Sequence, residues 1–427
     1  MAAVNDTTNG DDRKERAWLV GVRDRETLAT EAGSLLRELG GLATSLGLEV
    51  AGSEVIPLRE RNPALLFGSG KADEVVAAAK AACADSIIFD RPLSPVQQRN
   101  WETLSGLVVF DRSELIIKIF ASRALTREAR LQVELARLQY ALPRLTHSYA
   151  DLHRQRGGRY GTKGSGEQKL ELDRRSISQR IADLKDELEE VRKSRAVQRK
   201  RRERAQLARA AIVGYTNAGK SSILNAIANA EVGTEDKLFA TLDPTTRRLV
   251  TKSGTVLVTD TVGFVRNLPH GLVEAFKATL EEAAQADLLV HVLDASDPES
   301  DLHYETTRKV LSEIGADTGR SILVYNKVDA LPDRSALEFL AMRHEGAVLV
   351  SARTGEGLPA LVAAIDAALT ARDAEMTLAI PPADYAAAAL LYREATVLSE
   401  AHEDGMTVMR CRVPERLASR VEKYRTG

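Results

Sequence analysis

The sequence predicts a multidomain α/β protein, and three observations support this fold class. Short apolar runs alternate with amphipathic stretches in two separate parts of the chain, which is typical of α/β domains with a mostly parallel sheet. Between these parts lie two stretches that each carry a single apolar seam, as paired helices do. The second α/β part opens with the spacing G-x-x-x-x-G-K-S, which forms phosphate loops between a strand and a helix.

We therefore predict a small N-terminal α/β domain, a long helical hairpin linker, a P-loop domain with a doubly wound sheet, and a small C-terminal α/β domain. A polar tail, predicted to be disordered, precedes them. The predicted boundaries are 1–16 for the tail, 17–122, 123–207, 208–372 and 373–427.

Composition limits the class of protein. Hydrophobic residues make up 44% of the chain and charged residues 28%, which predicts a soluble globular protein, and we expect it in the cytoplasm. The formal net charge of −2 excludes a uniformly basic surface, so any nucleic-acid contact must be local. Cys83 and Cys411 are far apart and form no metal-ligand spacing, so we expect two free thiols in a reducing compartment.

In the N-terminal domain, the runs AWLVGV, ALLFG, DSIIFD and LVVFD predict strands. Helices are predicted after Glu26, Lys71, Ser94 and Ser113. The segment GSGK at 68–71 lies between a predicted strand and a predicted helix. It lacks the full phosphate-loop spacing, and two interpretations stay open, a plain turn and a phosphate contact.

The linker carries leucine and isoleucine residues at alternating spacings of three and four. They are Leu131, Leu135, Leu138, Leu142 and Leu145 in the first helix, and Ile177, Ile181, Leu184, Leu188 and Val191 in the second. One apolar seam on each helix predicts a packed hairpin or short coiled coil. Pro143 is predicted to kink or end the first helix locally.

Between the two linker helices lies GGRYGTKGSGE at 157–167, whose five glycines predict a loop rather than a helix. The positively charged residues of this region are Arg154, Arg156, Arg159 and Lys163, and Tyr160 lies among them. Cations can bind phosphates, and Tyr160 can stack on an unpaired base or pack its own loop. The second helix ends in the basic run RKSRAVQRKRRER, which either faces solvent or contacts RNA or a neighbouring domain.

The phosphate-loop motif predicts how a nucleotide is held. Its residues are Gly214, Tyr215, Thr216, Asn217, Ala218, Gly219, Lys220, Ser221 and Ser222. Backbone N–H groups at the glycines surround the phosphates, Lys220 reaches the β- and γ-phosphates, and the Ser221 hydroxyl binds Mg²⁺.

Three further motifs, each at the end of a predicted strand, indicate guanine. They comprise Asp260, Thr261, Val262 and Gly263; Asn326, Lys327, Val328 and Asp329; and Ser351, Ala352 and Arg353. Asp260 can hold Mg²⁺ through water, and the Gly263 N–H can donate to the γ-phosphate. The Asp329 carboxylate can accept two hydrogen bonds from guanine, whereas adenine would leave it unpaired. The motifs together predict a GTPase.

The run FATLDPTTRR at 239–248 shows neither strand nor helix pattern and is predicted to be a switch loop. Its nucleotide-binding candidates are Phe239, Ala240, Thr241, Leu242 and Asp243. Thr241 is the expected second Mg²⁺ ligand, with Thr245 and Thr246 as alternatives. Lys220, Thr241 and Gly263 are the catalytic candidates.

Phe264 follows DTVG at the position where many signalling GTPases carry a glutamine that orients the attacking water. A phenyl ring cannot orient water, so we predict slow intrinsic hydrolysis. Phe264 itself can be a core-facing apolar residue.

These residues resemble the HflX family of translational GTPases. The resemblance lies in GYTNAGKSS, FATLDPT and DTVGF, and in the linker loop, which is similar to the family's G-x-x-G-x-x-G-x-G-E signature. It extends from about residue 17 to the C-terminus. Ser165 stands where a proline is expected and Lys163 where an arginine is expected, but both departures keep the glycines and the charge.

The resemblance implies a GTP hydrolase with Mg²⁺ that binds the large ribosomal subunit and splits idle or stalled ribosomes, often under stress. It implies that the linker reaches towards the peptidyl transferase region, and that weak ATP hydrolysis can accompany GTP hydrolysis. The expected partners are GTP or GDP and ribosomal RNA, and we expect a monomer, with transient membrane association left open. Two alternatives remain, a regulatory switch that acts on a protein or membrane partner, and an NTP-driven RNA remodelling factor.

Overall fold

A computed structural model describes residues 13–25, 28–148, 163–204, 207–228, 238–239, 244–266, 282–316, 318–331, 333–371, 373–403 and 405–426. These residues form two compact units. The first holds the chain up to Glu189 together with 238–239, and the second holds the rest of the described residues from Glu190 onward.

The N-terminal domain is a four-stranded parallel sheet with helices between the strands. Its elements are β1 (Arg16–Arg23), α1 (Ala29–Ser45), β2 (Glu49–Pro57), α2 (Ser69–Ala81), β3 (Ser86–Phe89), α3 (Pro95–Ser105), β4 (Val108–Asp111) and α4 (Arg112–Arg123). The strand order is β2-β1-β3-β4. Fully buried Phe89 and Trp101 lie in its core, with ring centroids 5.0 Å apart.

The predicted strand ALLFG is wrong. Leu66 forms only an isolated bridge with Asn62, while Leu66 and Phe67 are buried in the core from a loop. The second strand is β2, whose residues are mostly exposed or half-buried because it lies at the sheet edge. An edge strand needs no continuous apolar run, so the sequence pattern missed it.

The segment GSGK at 68–71 opens α2 rather than forming a separate turn. The Lys71 ammonium lies 3.2 Å from the Glu54 carboxylate and 2.9 Å from that of Glu74, and these contacts raise the pKa of Lys71. Its charge therefore joins α2 to β2.

The linker consists of two helices, α5 (Arg127–Ser148) and α6 (Lys163–Arg204). Leu131, Leu135, Leu184 and Leu188 of the predicted seam are buried. Two ion pairs, Arg180 with Glu134 at 3.0 Å and Arg127 with Glu187 at 3.6 Å, join the helices. The predicted pairing is confirmed.

Two details of the linker differ from expectation. Of the two outcomes predicted at Pro143, a kink or an end, the end is wrong. The next residue, Arg144, anchors the helix by donating to the Leu93 carbonyl at 2.8 Å and to Gln98 Oε1 at 2.9 Å. Lys163 already begins α6, so the predicted loop is wrong over 163–167. A long helix gains one hydrogen bond for each residue it adds, which offsets the cost of about 1 kcal/mol for each glycine. The remainder of the loop lies outside the described residues.

The P-loop domain is a six-stranded sheet with helices between its strands. Its elements are β5 (Ala208–Gly214), α7 (Lys220–Ile227), β6 (Thr245–Thr251), β7 (Gly254–Asp260), β8 (Leu288–Asp294), α8 (Ser300–Glu313), β9 (Ser321–Asn326), α9 (Arg334–Arg343), β10 (Val348–Leu349) and α10 (Leu358–Thr370). The order is β10-β9-β8-β5-β7-β6. Strand β6 is antiparallel to β7, and the other pairs are parallel.

Strand β6 corrects the prediction of an irregular run over 239–248. Thr245 and Thr246 begin this strand, and the Thr246 hydroxyl lies 2.9 Å from that of Thr259 on β7. The strand lies at the sheet edge and mainly alternates half-buried and exposed residues. Because its first positions are threonines and arginines, no apolar run marks it as a strand.

The C-terminal domain is a three-stranded antiparallel sheet in the order β11-β13-β12. Its elements are β11 (Ala374–Ile380), α11 (Tyr385–Glu394), β12 (Thr396–Glu403), β13 (Met406–Val413) and α12 (Glu415–Val421). Among these strands the sequence predicts only the central strand β13, from the run MTVMRCRV at 406–413. Cys411 is fully buried in this core, where burial raises the pKa of its thiol to about 11, and Cys83 is exposed. Both thiols are free, as expected.

Across the described part of the chain, none of the helices combines the length and apolarity that a membrane span requires.

Candidate nucleotide-binding site

The phosphate loop connects β5 to α7 at the carboxyl edge of the central strands. Gly214 has φ +148°, and a Cβ there would lie 2.2 Å from the Val292 carbonyl oxygen of β8. Gly219 has φ +88°, and a Cβ there would lie 2.1 Å from the Asn326 amide nitrogen. Both glycines are therefore required by conformation and by close approach, which explains the motif spacing in physical terms.

Lys220, the first residue of α7, is buried, and its ammonium donates to the Tyr215 carbonyl oxygen at 2.7 Å. Burial lowers the pKa of Lys220 to about 8, against the opposing effect of the Asp260 carboxylate. His291 of β8 is also buried, and burial together with Lys220 lowers its pKa to about 3. Lys220 thus supplies the positive charge of a phosphate loop that suits an anion.

Ser221 and Asp260 supply oxygen atoms that suit a divalent cation. The Ser221 hydroxyl lies 2.5 Å from the Asp260 carboxylate, which ends β7. Hydroxyl and carboxylate oxygens are ligands that Mg²⁺ prefers, with phosphates and water completing the octahedron. No cluster of three or more His, Cys, Asp or Glu side chains that could hold a metal occurs among the described residues. The donor set fits Mg²⁺ held jointly with a nucleotide.

The segment after Asp260 lies against the phosphate loop. The Thr261 hydroxyl donates to the Ile212 carbonyl at 2.8 Å. A Cβ at Gly263 would lie 2.8 Å from Thr216 Cα and 2.9 Å from Lys220 Nζ, so only glycine fits beside the lysine. Phe264 is 2% exposed, and its side chain is therefore a core residue.

The second group of motif residues meets at the ends of β9 and β10. Asn326 donates from Nδ2 to the Ala218 carbonyl at 2.9 Å and accepts from the Ala352 N–H at 3.0 Å. The Ser351 hydroxyl donates to the Asp329 carboxylate at 2.6 Å, and the Arg353 guanidinium lies 3.1 Å from it. Asn326 therefore joins the phosphate loop to the segment that carries Asp329.

Sequence reasoning missed two side chains of this region. Asp294, which ends β8, lies 2.8 Å from the Lys327 ammonium and holds a residue whose φ is +64°. Its position after the apolar run LLVHVL could have marked it. His303 of α8 stacks on Tyr215, and no sequence signal indicates that contact.

Some predicted residues are not brought to the site. Phe239 is 2% exposed and packs edge-on against Phe120 of α4 with ring centroids 4.6 Å apart, so its side chain belongs to the core of the first unit. Lys163 begins α6. The predictions on Ala240, Thr241, Leu242 and Asp243, and on Arg154, Arg156, Arg159 and Tyr160, lie outside the described residues.

A glycine-lined phosphate loop, a buried lysine, a Ser–Asp pair and an Asn–Asp segment at the strand ends of a doubly wound sheet together define a P-loop GTPase, an enzyme that hydrolyses GTP. Family models agree with this class. They match as GTP-binding GTPase N-terminal over 34–121, GTP-binding GTPase Middle Region over 123–202, 50S ribosome-binding GTPase over 209–327, and HflX C-terminal domain over 336–426. The chain belongs to the GTPase HflX family.

Relatives support the assignment over most of the chain. The GTPase HflX of Akkermansia muciniphila is 46% identical over 422 residues, which cover 96% of this chain and 97% of that protein. The GTPase HflX of Magnetococcus marinus is 42% identical over 92% of this chain and 91% of that protein. The GTPase HflX of Escherichia coli K12 is 42% identical over 89% of this chain and 89% of that protein.

Proposed function

We propose that this GTPase binds the large ribosomal subunit in its GTP state, with Mg²⁺, and splits or rescues idle or stalled ribosomes. The observation that carries the proposal is Phe264. It is buried in the position where many signalling GTPases hold a water-orienting glutamine, which supports the proposal that a partner completes the hydrolytic site. The matching model named 50S ribosome-binding GTPase indicates which partner to test.

In this proposal each motif has one task. Lys220 neutralises the β- and γ-phosphates, and Ser221 and Thr241 ligate Mg²⁺ while Asp260 holds it through water. Gly263 donates its N–H to the γ-phosphate. The proximity of Ser221 to Asp260, and of Gly263 to Lys220, supports these roles. Bound Mg²⁺ would supply charge compensation between the phosphates.

Asp329 is proposed to read guanine. Ser351 donates to one of its oxygens, and this hydrogen bond orients the carboxylate. The Asn326 bridge to Ala218 sets the distance between the base and the phosphates.

The linker is proposed to carry the ribosome contact. Its two helices are joined by ion pairs and an apolar seam, so they can support the loop that they flank. The candidate rRNA contacts are Arg154, Arg156, Arg159, Tyr160 and Lys163. Cationic contacts with phosphate supply affinity that weakens as salt rises.

Sedimentation with purified 70S ribosomes and isolated large subunits tests the proposal. We expect the chain to co-sediment with large subunits when a non-hydrolysable GTP analogue is present, and much less with GDP or an ATP analogue. Light scattering should show loss of 70S particles in the GTP state. If the protein binds RNA and responds to ATP rather than GTP, an RNA remodelling factor becomes the better account. If the protein binds no ribosomes in any nucleotide state, a switch that acts on another partner becomes the better account.

A loop variant gives the sharper comparison. Replacing Arg154, Arg156, Arg159 and Lys163 by alanine should reduce splitting at least tenfold while the Kd for GTP stays within twofold, because the nucleotide motifs are untouched. A matched control removes four exposed cations from the shafts of α5 and α6 instead. These are Arg137, Arg174, Arg175 and Lys185. Equal loss of splitting in both variants would show a general charge effect and contradict the loop's role.

A further inference from the structure

Tyr215, the second residue of the phosphate loop, has a side chain that packs in a defined position. Its ring stacks on the His303 imidazole with centroids 3.7 Å apart and planes 7° from parallel. Tyr215 is 5% exposed and His303 is 8% exposed, so the stack is inside the protein. His303 lies in the first turn of α8 and its Nδ1 is 3.4 Å from the Asp297 carboxylate.

The chain that follows Gly263 is bonded to the phosphate loop at three points. Phe264 donates from its N–H to the Gly214 carbonyl at 3.1 Å, and its own carbonyl accepts from the Thr216 N–H at 2.8 Å. The Arg266 N–H donates to the Tyr215 hydroxyl at 2.7 Å. The first two bonds join backbones, whereas the third depends on a side chain and can be removed by substitution.

The same segment is also held from the side of α8. The Arg266 guanidinium, whose side chain is 8% exposed, lies 3.4 Å from the carboxylate of Glu299, the residue before α8. The Glu299 carbonyl accepts from the His303 N–H at 3.0 Å. Tyr215 therefore contacts both Arg266 and the helix end that pairs with Arg266.

These contacts determine the position of Gly263. The residue stands between Asp260, which lies beside Ser221, and Phe264, which is bonded to Gly214. Space for a side chain is absent on the Lys220 side. A fixed segment at 264–266 therefore leaves the Gly263 peptide little freedom to move away from the lysine.

We infer that Tyr215 is a positioning residue for GTP hydrolysis. Its ring packs on His303, and its hydroxyl accepts a hydrogen bond from the Arg266 N–H. These two contacts keep the Gly263 N–H aligned with the γ-phosphate. The inference rests on the proposed role of Gly263. Because GDP has no γ-phosphate, Tyr215 should affect the hydrolysis of bound GTP and leave GDP binding alone. A residue that only fills space would be replaced by phenylalanine without effect.

Tyr215→Phe tests this directly, since it removes the hydroxyl and keeps the ring. In single-turnover assays with enzyme in excess, we expect hydrolysis of bound GTP to slow about fivefold, the effect of one buried hydrogen bond. The Kd for GDP should stay within twofold of the parent value. His303→Ala should slow hydrolysis similarly, because the Tyr215 ring loses its stacking partner. His303→Phe keeps a flat ring and should restore most of the rate. In the double variant Tyr215→Phe with His303→Ala, the two losses of hydrolysis rate should be less than additive in free energy.

Two results would overturn the inference. One is a parental rate in Tyr215→Phe, and the other is a loss of GDP affinity in proportion to the loss of rate, which indicates structural damage. Gly263→Ala distinguishes a failure of the role of Tyr215 from a failure of the proposed role of Gly263. If Gly263→Ala slows hydrolysis and Tyr215→Phe does not, only the role of Tyr215 fails. If Gly263→Ala also hydrolyses bound GTP at the parental rate, the role of Gly263 at the γ-phosphate fails as well.

Discussion

Asp329 is the residue proposed to set the choice of base. Its orientation by Ser351 suits two donors on guanine, and Asp329→Asn replaces one acceptor by a donor. We expect the variant to lose GTP affinity by about tenfold or more and to gain affinity for xanthosine triphosphate, whose C2 carbonyl accepts from the new donor. Competition binding with both nucleotides measures this. A variant that still prefers GTP would contradict the role of Asp329.

Ser221 makes a second prediction at the same scale. Ser221→Ala removes a hydroxyl that lies 2.5 Å from Asp260 and, as proposed, binds Mg²⁺. The variant should lose more affinity for GTP than for GDP, because the metal bridges the β- and γ-phosphates. Chelating Mg²⁺ with EDTA should weaken GTP binding to the parent and change the variant much less. An equal response to EDTA in both proteins would show that Ser221 is not a ligand.

Single residues were predictable where function demands a fixed spacing. Gly214, Gly219 and Gly263 are each required by a close approach that no Cβ tolerates, so the motif reveals the geometry. The strand-end position of Asp294 could have been noticed, but its contact with Lys327 and that of His303 with Tyr215 were not predictable, because both contacts join elements that are distant in sequence. Only the fold brings them together.

At the scale of elements, prediction followed burial. The central strands β5, β7 and β8 lie inside the sheet and are therefore apolar, and the runs RAAIVGYT, TVLVTDTVG and LLVHVLDAS predict them. The edge strands β2 and β6 were not predicted, because one side of each lacks a partner strand and its residues are mostly exposed or half-buried. Likewise, α5 continues past Pro143 because of the contacts of Arg144, a tertiary effect that no local propensity contains.

A buried ion pair joins two helices of the N-terminal domain. Arg112 of α4 lies 2.7 Å from Glu38 of α1, and their side chains are 2% and 9% exposed. Glu38→Ala should destabilise this domain by about 3 kcal/mol, because a buried guanidinium loses a charged partner. Urea unfolding followed by tryptophan fluorescence reports on this domain, since Trp18 and Trp101 are the two tryptophans of the chain.

The exposed pair Arg175–Glu171 on α6 is the matched control for that experiment. Glu171→Ala should leave the urea midpoint unchanged, because exposed pairs contribute little. The double variant Glu38→Leu with Arg112→Leu should recover part of the stability, since it removes both charges. Equal midpoints for Glu38→Ala and the parent would contradict the structural role of the pair.

At the scale of the whole molecule, the order of domains and the class of enzyme followed from the sequence, because each motif lies at a strand end that periodicity locates. The number of strands in the C-terminal domain did not. Strand β12 is almost wholly exposed, and β11 was missed although four of its seven residues are buried. The predicted domain boundaries stay predictions. The molecule combines a predicted nucleotide site, in which buried Phe264 occupies the position of the water-orienting glutamine of many signalling GTPases, with a linker proposed to contact rRNA.

The dependence of GTP hydrolysis on the large ribosomal subunit tests the central claim most directly. The steady-state rate of the purified protein should be low alone and should rise more than tenfold with large subunits, a barrier change of about 1.4 kcal/mol or more. The stimulation should fade as potassium chloride rises, because contacts with phosphate release counterions. Large subunits that leave the rate unchanged at low salt, with GTP binding intact, would contradict the account.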